Sequence, residues 1–306
     1  MRSAFVRRLM QSAAKDPRIV LVTGDLGFGV LDEFEKQFPR QYLNAGVAEQ
    51  NMTAVATGMA LEGRIVFTYS IGNFPTLRCL EQLRNDTFYH EASVKVVSVG
   101  GGFSYGQLGM SHHATEDLSI MRALPGVVIC APGSAYEADC LVDDLIKRPG
   151  PAYLRLERSA PDFTDQAPPP CEFGRARQLR DGTACTLIAT GGIVSEVIAA
   201  AALLDQQGMS CRVLSMHTLK PIDASAISAA AIETGGICTV EENSILGGLG
   251  GAVAEVCLEL SQRPRRFKRL GIQDRYTSIV GDQAFLRRAV GIDRDSIVQS
   301  VRALVS

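Results

Sequence analysis

The sequence lacks three features that would narrow its class at once. None of its eight cysteines forms a CxxC pair, no stretch has about 18 uninterrupted apolar residues, and the 31 basic and 33 acidic residues are interspersed. These absences argue against a paired-cysteine site, a membrane span and an extended nucleic-acid surface. We therefore expect a soluble cytoplasmic protein with reduced cysteines that binds neither nucleic acid nor membrane.

The chain is long and apolar enough for a substantial core. It has 306 residues, 46% hydrophobic content and a formal net charge of −2, which fits an ordinary two-domain protein. The segment SAPDFTDQAPPPCEFG, residues 159–174, contains four prolines and no apolar periodicity. We therefore predict one domain at 1–158, a linker at 159–171 and a second domain at 172–306.

On both sides of this segment, short β-branched runs alternate with helical patterns. In the first half the strand-like runs are RIVLVTG, RIVFTYS, VKVVSVGG, GVVICAP and PAYLRL, and in the second half they are ACTLIATGG, MSCRVLSM, GGICTVEE and RRFKRLGI. The helices between them are expected near 30–38, 75–90, 134–147, 194–207, 223–233 and 250–262. Strands separated by helices predict α/β domains, each with a doubly wound, mostly parallel sheet.

Ligands of such sheets collect at the carboxyl ends of the strands, so the residues that follow the strands are candidates for a site. Asp25 follows RIVLV and Glu49 follows QYLNA, while a run of three glycines, 100–102, follows VKVVSV. Taken locally, Asp25 is typical of an Asx turn, and Glu49 is a favourable first-turn acid of a helix. Glycine runs alone are weak indicators of phosphate binding.

The order of six motifs resembles the C-terminal half of transketolase. They are GDLG, GVAEQNM, FPTLRCLEQ, SHHATEDLSIMRALPG, PAYLRLER and TVEENSILGGLGG, and together they extend over nearly the whole chain. The resemblance implies a pyrimidine-binding domain followed by the family's C-terminal domain. It also implies the smaller subunit of a split transketolase, because the GDG motif that holds the cofactor diphosphate in the N-terminal half has no counterpart here.

By resemblance, Glu49 is the acid that hydrogen-bonds a ring nitrogen of the thiamine diphosphate aminopyrimidine and assists proton removal from the cofactor. A carboxyl group suits this role because its partner nitrogen changes proton occupancy. We expect burial beside Val47, Met52 and aromatic residues to raise the Glu49 pKa. The family pattern places Phe74 against the pyrimidine face. It implies cofactor contacts at these positions: Asp25, Val47, Glu49, Ile71 and Phe74.

The resemblance also implies substrate contacts. His112 matches a catalytic histidine that faces the reacting carbons, Arg158 matches an arginine that binds the substrate phosphate, and His113 and Ser104 are further candidates. The chain departs from the phosphoketose enzymes at Gly100 and Leu108, where relatives usually have His and Asp. The donor and the acceptor of the reaction, a sugar or sugar phosphate and an aldehyde or carrier, therefore stay open.

The implied cofactors are thiamine diphosphate and a Mg²⁺ or Ca²⁺ ion held mainly by a separate N-terminal subunit, with no metal ligand on this chain. The implied assembly has two copies of each subunit, α2β2, and its activity is transfer of a two-carbon ketol unit. Two alternatives stay open: the β subunit of a 2-oxo acid dehydrogenase complex, which shares the two-domain plan, and a non-catalytic assembly subunit that retains the fold.

Overall fold

A computed structural model describes residues 1–158 and 170–306. Most of the predicted linker therefore lies outside the described residues. Within them the chain forms two sheets of mostly parallel strands with helices packed on their faces, which confirms the predicted fold class. No helix in the described ranges is both long and apolar enough to span a bilayer.

The first sheet has seven strands in the order β10-β5-β6-β4-β3-β1-β2, all parallel except β10. Its strands are Ile19–Thr23 (β1), Tyr42–Asn44 (β2), Ile65–Ile71 (β3), Val94–Val99 (β4), Val128–Cys130 (β5), Ala152–Leu156 (β6) and Thr218–Lys220 (β10). Strands β1, β4 and β6 are buried along their whole length. A strand that is apolar on both faces is the pattern of a parallel sheet covered by helices, which explains the unbroken hydrophobic runs in the sequence.

The second sheet has five strands in the order β12-β11-β8-β9-β7, and β7 is antiparallel to its neighbour. Its strands are Arg177–Arg180 (β7), Cys185–Thr190 (β8), Cys211–Ser215 (β9), Ile237–Ser244 (β11) and Phe267–Ile272 (β12). The sequence patterns predicted β8, β9, β11 and β12 but not β7 or β10, because these two strands are short and only partly apolar.

The helices form three layers around the two sheets. They are Arg2–Ala13 (α1), Asp32–Gln37 (α2), Glu49–Leu61 (α3), Leu80–Gln82 (α4), Asp117–Ala123 (α5), Ala135–Lys147 (α6), Val194–Gln206 (α7), Ala224–Glu233 (α8), Leu249–Glu259 (α9), Gln283–Val290 (α10) and Arg294–Val305 (α11). Helices α1 and α6 cover the outer face of the first sheet, and α7 and α11 cover that of the second. Helices α3, α5, α8 and α9 share one apolar core with both sheets.

One strand from the second half of the chain belongs to the first sheet. Strand β10 belongs to the second half but pairs antiparallel with β5, so the edge of the first sheet is completed by residues from beyond the predicted linker. This pairing also gives hydrogen-bond partners to backbone N–H and C=O groups along the edge of β5. The domain boundaries at 158 and 172 therefore stay a prediction. The residues after 172 contribute strands to both sheets, so the two sheets do not correspond to the two predicted segments.

The helix predicted near 75–90 is real but irregular. A 3₁₀ turn at Leu77–Cys79 leads into α4, and a π-helix follows at Leu83–Phe88. The π-helix buries Leu83, Thr87 and Phe88 together, and the Thr87 hydroxyl lies 2.7 Å from that of Thr57 on α3. Wider turns of this kind often occur near functional sites. Sequence periodicity does not reveal them because they depend on packing against α3.

Near the carboxyl ends of β6 and β11, buried charges join the two halves. Arg287 on α10 donates through Nε to Glu242 Oε2 at 2.6 Å and lies 3.7 Å from Glu157 Oε2. Glu242, at the end of β11, also accepts from the Phe103 backbone N–H at 2.5 Å. We call Glu157, Glu242, Gln283 and Arg287 the interdomain network. It holds the loop after β4 against the loop before α10.

The close approach of these two loops gives a stability prediction at Gly106. A Cβ added there would lie 2.6 Å from the Gly281 carbonyl oxygen and overlap Leu286. Gly106→Ala should therefore lower the free energy of unfolding by about 1–3 kcal/mol in urea titrations. In the control Gly58→Ala, the added methyl meets no atom within 4 Å, and stability should be equal or slightly higher. Equal stability of the two variants would contradict the contact.

Candidate functional site

Five loops converge at one edge of the first sheet. The loops after β1, β2, β3, β4 and β6 leave neighbouring parallel strands from the same end, so residues distant in the chain become neighbours. The predicted site residues lie in these loops or at the helix starts that follow them, except Ile71, which is the last residue of β3. The shared edge of the sheet is therefore the candidate site.

Glu49 is the first residue of α3 and is almost fully buried, with 2% of its surface exposed. Its Oε2 accepts a hydrogen bond from Arg78 Nη1 at 2.7 Å. The Glu49 side chain packs on Gly24, where an added Cβ would lie 3.3 Å from Glu49 Cγ. A buried carboxylate costs free energy unless it has partners, so Arg78 is the group that makes this position tenable in the chain.

Arg78 also organises the aromatic part of the site. Its guanidinium carbon lies 4.4 Å from the centroid of the Phe74 ring, and that ring meets His112 edge-on with the centroids 5.2 Å apart. Glu49, Arg78, Phe74 and His112 therefore form one continuous cluster, which we call the acid–aromatic cluster. Sequence reasoning missed Arg78, although its place four residues after Phe74 is the spacing at which side chains on one helical face meet.

Other predicted cofactor contacts surround this cluster with different exposure. Asp25 has a positive φ of 57° and is exposed; its backbone N–H donates to Asn44 Oδ1 at 3.0 Å, and Asn44 Nδ2 donates to its carboxylate at 2.9 Å. Ile71 ends β3 and is half-buried. Val47 is 74% exposed, so the expectation that it buries Glu49 within this chain is wrong: its backbone turns it outward from the loop before α3.

The adjacent histidines have different environments. His112 is half-buried with Nδ1 2.9 Å from the Ser111 hydroxyl, and burial together with the neighbouring His113 lowers the pKa of its imidazole. His113 is buried, meets the Phe103 ring edge-on and donates through Nε2 to the Gly106 carbonyl at 3.3 Å. Its Nδ1 has no partner among the described residues. Only His112 of this pair contacts the acid–aromatic cluster.

An open cleft of about 700 Å³ lies beside the cluster. Arg158 and Ser104, both predicted to bind substrate, line it together with Arg2, Tyr105 and Gln283. Tyr105 connects the cleft to the cluster, since its ring centroid lies 6.4 Å from that of His112 and 5.7 Å from the Arg158 guanidinium carbon. The cleft and the acid–aromatic cluster are thus adjoining parts of one site.

Arg2 is the second residue that sequence reasoning missed. It begins α1 and lines the same cleft as Arg158, and its Nε is buried without a hydrogen-bond partner among the described residues. A buried guanidinium N–H without a partner is costly and is typical of a position that awaits an anion. No local signal identifies Arg2, because only the tertiary structure brings it to Arg158.

Gly100 explains one departure from the expected pattern. Its φ is +95°, and a Cβ there would overlap the Tyr105 ring. Tyr105 therefore occupies the space that a side chain at position 100 would need, and only glycine fits. Leu108, the other departure, is exposed at the cleft and adds apolar surface where relatives are expected to have an acid.

The described residues contain no cluster of three or more His, Cys, Asp or Glu side chains suited to hold a metal ion. The carboxylates near the site have other partners. Glu49 pairs with Arg78, and Glu157 and Glu242 belong to the interdomain network. The site therefore offers a buried acid, aromatic faces and arginines.

Comparison with known proteins matches both halves of the chain. Residues 1–162 match the family "Transketolase, pyrimidine binding domain", and residues 174–297 match "Transketolase, C-terminal domain". The chain is 37% identical to an apulose-4-phosphate transketolase subunit of Phocaeicola vulgatus, covering 99% of this chain and 97% of that one. It is 35% identical to the 6-deoxy-6-sulfo-D-fructose transketolase subunit SqwH of Clostridium sp., covering 98% and 92%.

A solved structure gives the same result for the fold. The structure described as a split gene transketolase, inactive beta4 tetramer, superimposes with a TM-score of 0.88 at 32% identity, covering 99% of this chain and 97% of that chain. The resemblance inferred from the six motifs is therefore confirmed over the whole length of the chain.

The lowered pKa of His112 can be measured directly. In NMR titrations of the isolated chain, the His112 ring should titrate below the value of about 6.5 for a free imidazole and so be neutral at pH 7. Neutral imidazole can accept a proton, whereas the cation that forms as the pH falls through this pKa cannot. His112→Gln supplies the assignment of the resonance. A titration midpoint at or above 6.5 would contradict the desolvated position.

Proposed function

The chain belongs to the transketolase family and is a subunit of a transferase of the split-gene kind, and from this we propose the function of its site. It is the smaller subunit of a thiamine diphosphate-dependent enzyme that transfers a two-carbon ketol unit from a ketose or ketose phosphate to an aldehyde or carrier. Its N-terminal partner is a separate chain that holds the cofactor diphosphate and its Mg²⁺ or Ca²⁺ ion.

One observation carries this proposal: a buried carboxylate, Glu49, is joined through Arg78 to the Phe74 ring, which in turn contacts His112, at one edge of the sheet. These groups fit the cofactor's aminopyrimidine, which needs an acid at a ring nitrogen and an aromatic surface against its plane. When bound, thiamine diphosphate supplies the carbon nucleophile and electron sink of the reaction. The residues of this chain bind it, orient it and move protons.

Glu49 exchanges a proton with the ring nitrogen, which a glutamine in its place could not do. In the chain alone its Oε2 is engaged by Arg78, whose side chain is 46% exposed. Because a buried carboxylate needs a partner, Arg78 would leave it only as the ring nitrogen takes its place, and the half-exposed guanidinium would then stay hydrated. Phe74 would hold the face of the ring, and Asp25, Val47 and Ile71 would supply the remaining contacts. The outward position of Val47 suits a pocket whose other wall belongs to the partner.

His112 acts on the substrate. It lies between Phe74 and Tyr105, so it connects the cofactor position to the cleft, and its imidazole accepts a proton from a substrate hydroxyl during carbon–carbon cleavage. The buried ring of His113 supports this arrangement from behind by fixing the Gly106 carbonyl. His113 therefore helps to fix the position of the loop that carries Tyr105.

The cleft binds the anionic end of the substrate. Arg2 and Arg158 supply two guanidinium groups, and the Ser104 hydroxyl lies 3.4 Å from Glu157 Oε2 at the base of the cleft. Guanidinium groups suit phosphate, sulfonate or carboxylate groups because they donate several hydrogen bonds in a fixed plane. Because the Tyr105 ring fills the space beside Gly100, where the phosphoketose enzymes usually have a histidine, the sugar recognised here differs from theirs.

We further propose an α2β2 assembly that works in the cytoplasm. The cofactor lies between domains from different chains, so neither subunit alone forms a complete pocket. The large apolar side chains exposed around the site, which include Val47 and Leu77, suit burial by the partner. All eight cysteines are free thiols, as is usual in a reducing compartment.

Glu49→Gln tests the function directly. In the complex reconstituted with the N-terminal subunit, turnover of a ketose donor should fall by about 100- to 10,000-fold, because the amide cannot follow the proton. The control Glu62→Gln changes an exposed acid at the end of α3 and should leave turnover unaltered. An active Glu49→Gln complex would instead support an assembly subunit. Decarboxylation of a 2-oxo acid without ketose uptake would support the dehydrogenase alternative.

The paired arginines predict a specific change in substrate affinity. Arg2→Met and Arg158→Met should each reduce kcat/KM for phosphorylated donors by about 10- to 100-fold, since each removes hydrogen bonds to a charged group. Unphosphorylated donors should change little. Arg7→Met is the matched control, because Arg7 is on the same helix as Arg2 but pairs with Asp139 at the surface. Equal losses with both donor classes would contradict an anion site.

A further inference from the structure

The second half of the chain contributes to the cleft. The start of α10 and the two residues before it line the cleft through Gly281, Asp282 and Gln283, although the first half supplies the acid–aromatic cluster. The Asp282 carboxylate is already engaged, because its Oδ1 accepts from the Phe285 backbone N–H at 2.7 Å as the cap of α10. Gln283, the first residue of α10, is the neutral side chain of this segment that lines the cleft.

Two buried acids set the orientation of the Gln283 amide. Its Nε2 donates to Glu157 Oε2 at 3.0 Å and to the two oxygens of Glu242 at 3.0 and 3.2 Å. Carboxylates accept hydrogen bonds, so the nitrogen must face them. The carbonyl Oε1 of the same amide then points away from the acids. It has no partner among the described residues and is not enclosed, which leaves it facing the cleft that Gln283 lines.

The support of this amide is rigid. Glu242 accepts from Arg287 Nε at 2.6 Å and from the Phe103 backbone N–H at 2.5 Å, and Glu157 accepts from the Gly192 backbone N–H at 2.9 Å. Each acid is thus held from both halves of the chain. A group whose supporting residues are locked in this way loses little entropy when it binds, which is the requirement for selective recognition.

The geometry points to Gln283 as a specificity-determining residue that accepts, through Oε1, a hydrogen bond from a hydroxyl group of the sugar substrate. This inference rests on the proposed function, in which Arg2 and Arg158 bind the anionic end. The hydroxyl group that Gln283 binds is next to the anionic end of the substrate, because Gln283, Arg2 and Arg158 line the same cleft. A fixed carbonyl without a donor opposite it disfavours analogues that lack the hydroxyl.

A donor pair tests the inference in the complex with the N-terminal subunit. The donors are a ketohexose 6-phosphate and its 5-deoxy analogue, which lacks the hydroxyl beside the phosphorylated carbon. The wild-type complex should prefer the hydroxylated donor by about 10-fold in kcat/KM, the factor expected for one hydrogen bond. Gln283→Met, similar in length but without hydrogen-bonding atoms, should lose this preference by slowing on the hydroxylated donor alone.

Gln283→Lys separates recognition from structural support. Its ammonium group can donate to Glu157 and Glu242 as the amide does, but it has no acceptor to offer the cleft. The Gln283→Lys variant should therefore keep the wild-type thermal stability and still lose the preference for the hydroxylated donor. It also provides a test if Gln283→Met fails to fold.

The contrary outcomes are distinct. If Gln283→Lys keeps the preference, or slows equally on both donors, the inference is overturned while the proposed function stands. If the wild-type complex transfers a two-carbon unit from no ketose or ketose phosphate, the proposed function is overturned and the inference with it.

Discussion

The burial of Arg287 among acids is the interaction on which the site depends. Its guanidinium lies between Glu242, Glu157 and Glu196, with nitrogen–oxygen separations of 2.6, 3.7 and 3.4 Å. Burying these charges is tolerable because Arg287, Glu157 and Glu242 each keep polar partners from both halves of the chain. Added Cβ atoms at Gly102 and Gly192 would strike Glu242 and Glu157, so the absence of side chains there is what admits the carboxylates. The loop that carries Tyr105 owes its position to this network.

The acid–aromatic cluster has a different character, since it is buried on one side and open on the other. Glu49 is enclosed by its own chain, whereas Val47 beside it is open to solvent and Phe74 is only half-buried. The exposed guanidinium of Arg78 gives the buried carboxylate the partner it needs while keeping contact with water. Glu49 is therefore stabilised within this chain although its neighbours stay open.

The departure from the family pattern at Gly100 has a physical origin in its neighbour Tyr105. The Tyr105 ring fills the space that a side chain at position 100 would need, so only glycine fits there. The same ring contacts both His112 and Arg158, so one side chain joins the acid–aromatic cluster to the cleft. The position of this ring depends on the loop after β4 and on the support of that loop by α10.

Much of this was predictable from the sequence. The alternation of apolar runs with helical patterns predicted both sheets, and the order of six motifs predicted the family. Because parallel strands bring their following loops to one edge, the candidate site could be placed there too; the roles of Glu49, Phe74, His112 and Arg158 stay predictions. These features depend on short-range periodicity and turn chemistry, which neighbouring residues encode.

The tertiary structure alone decided four other features. They are the pairing of β10 with the first sheet, the ion pair of Arg78 with Glu49, the position of Arg2 in the same cleft as Arg158, and the exposure of Val47. Each depends on packing between segments far apart in the chain, and no local pattern specifies which distant surfaces will meet.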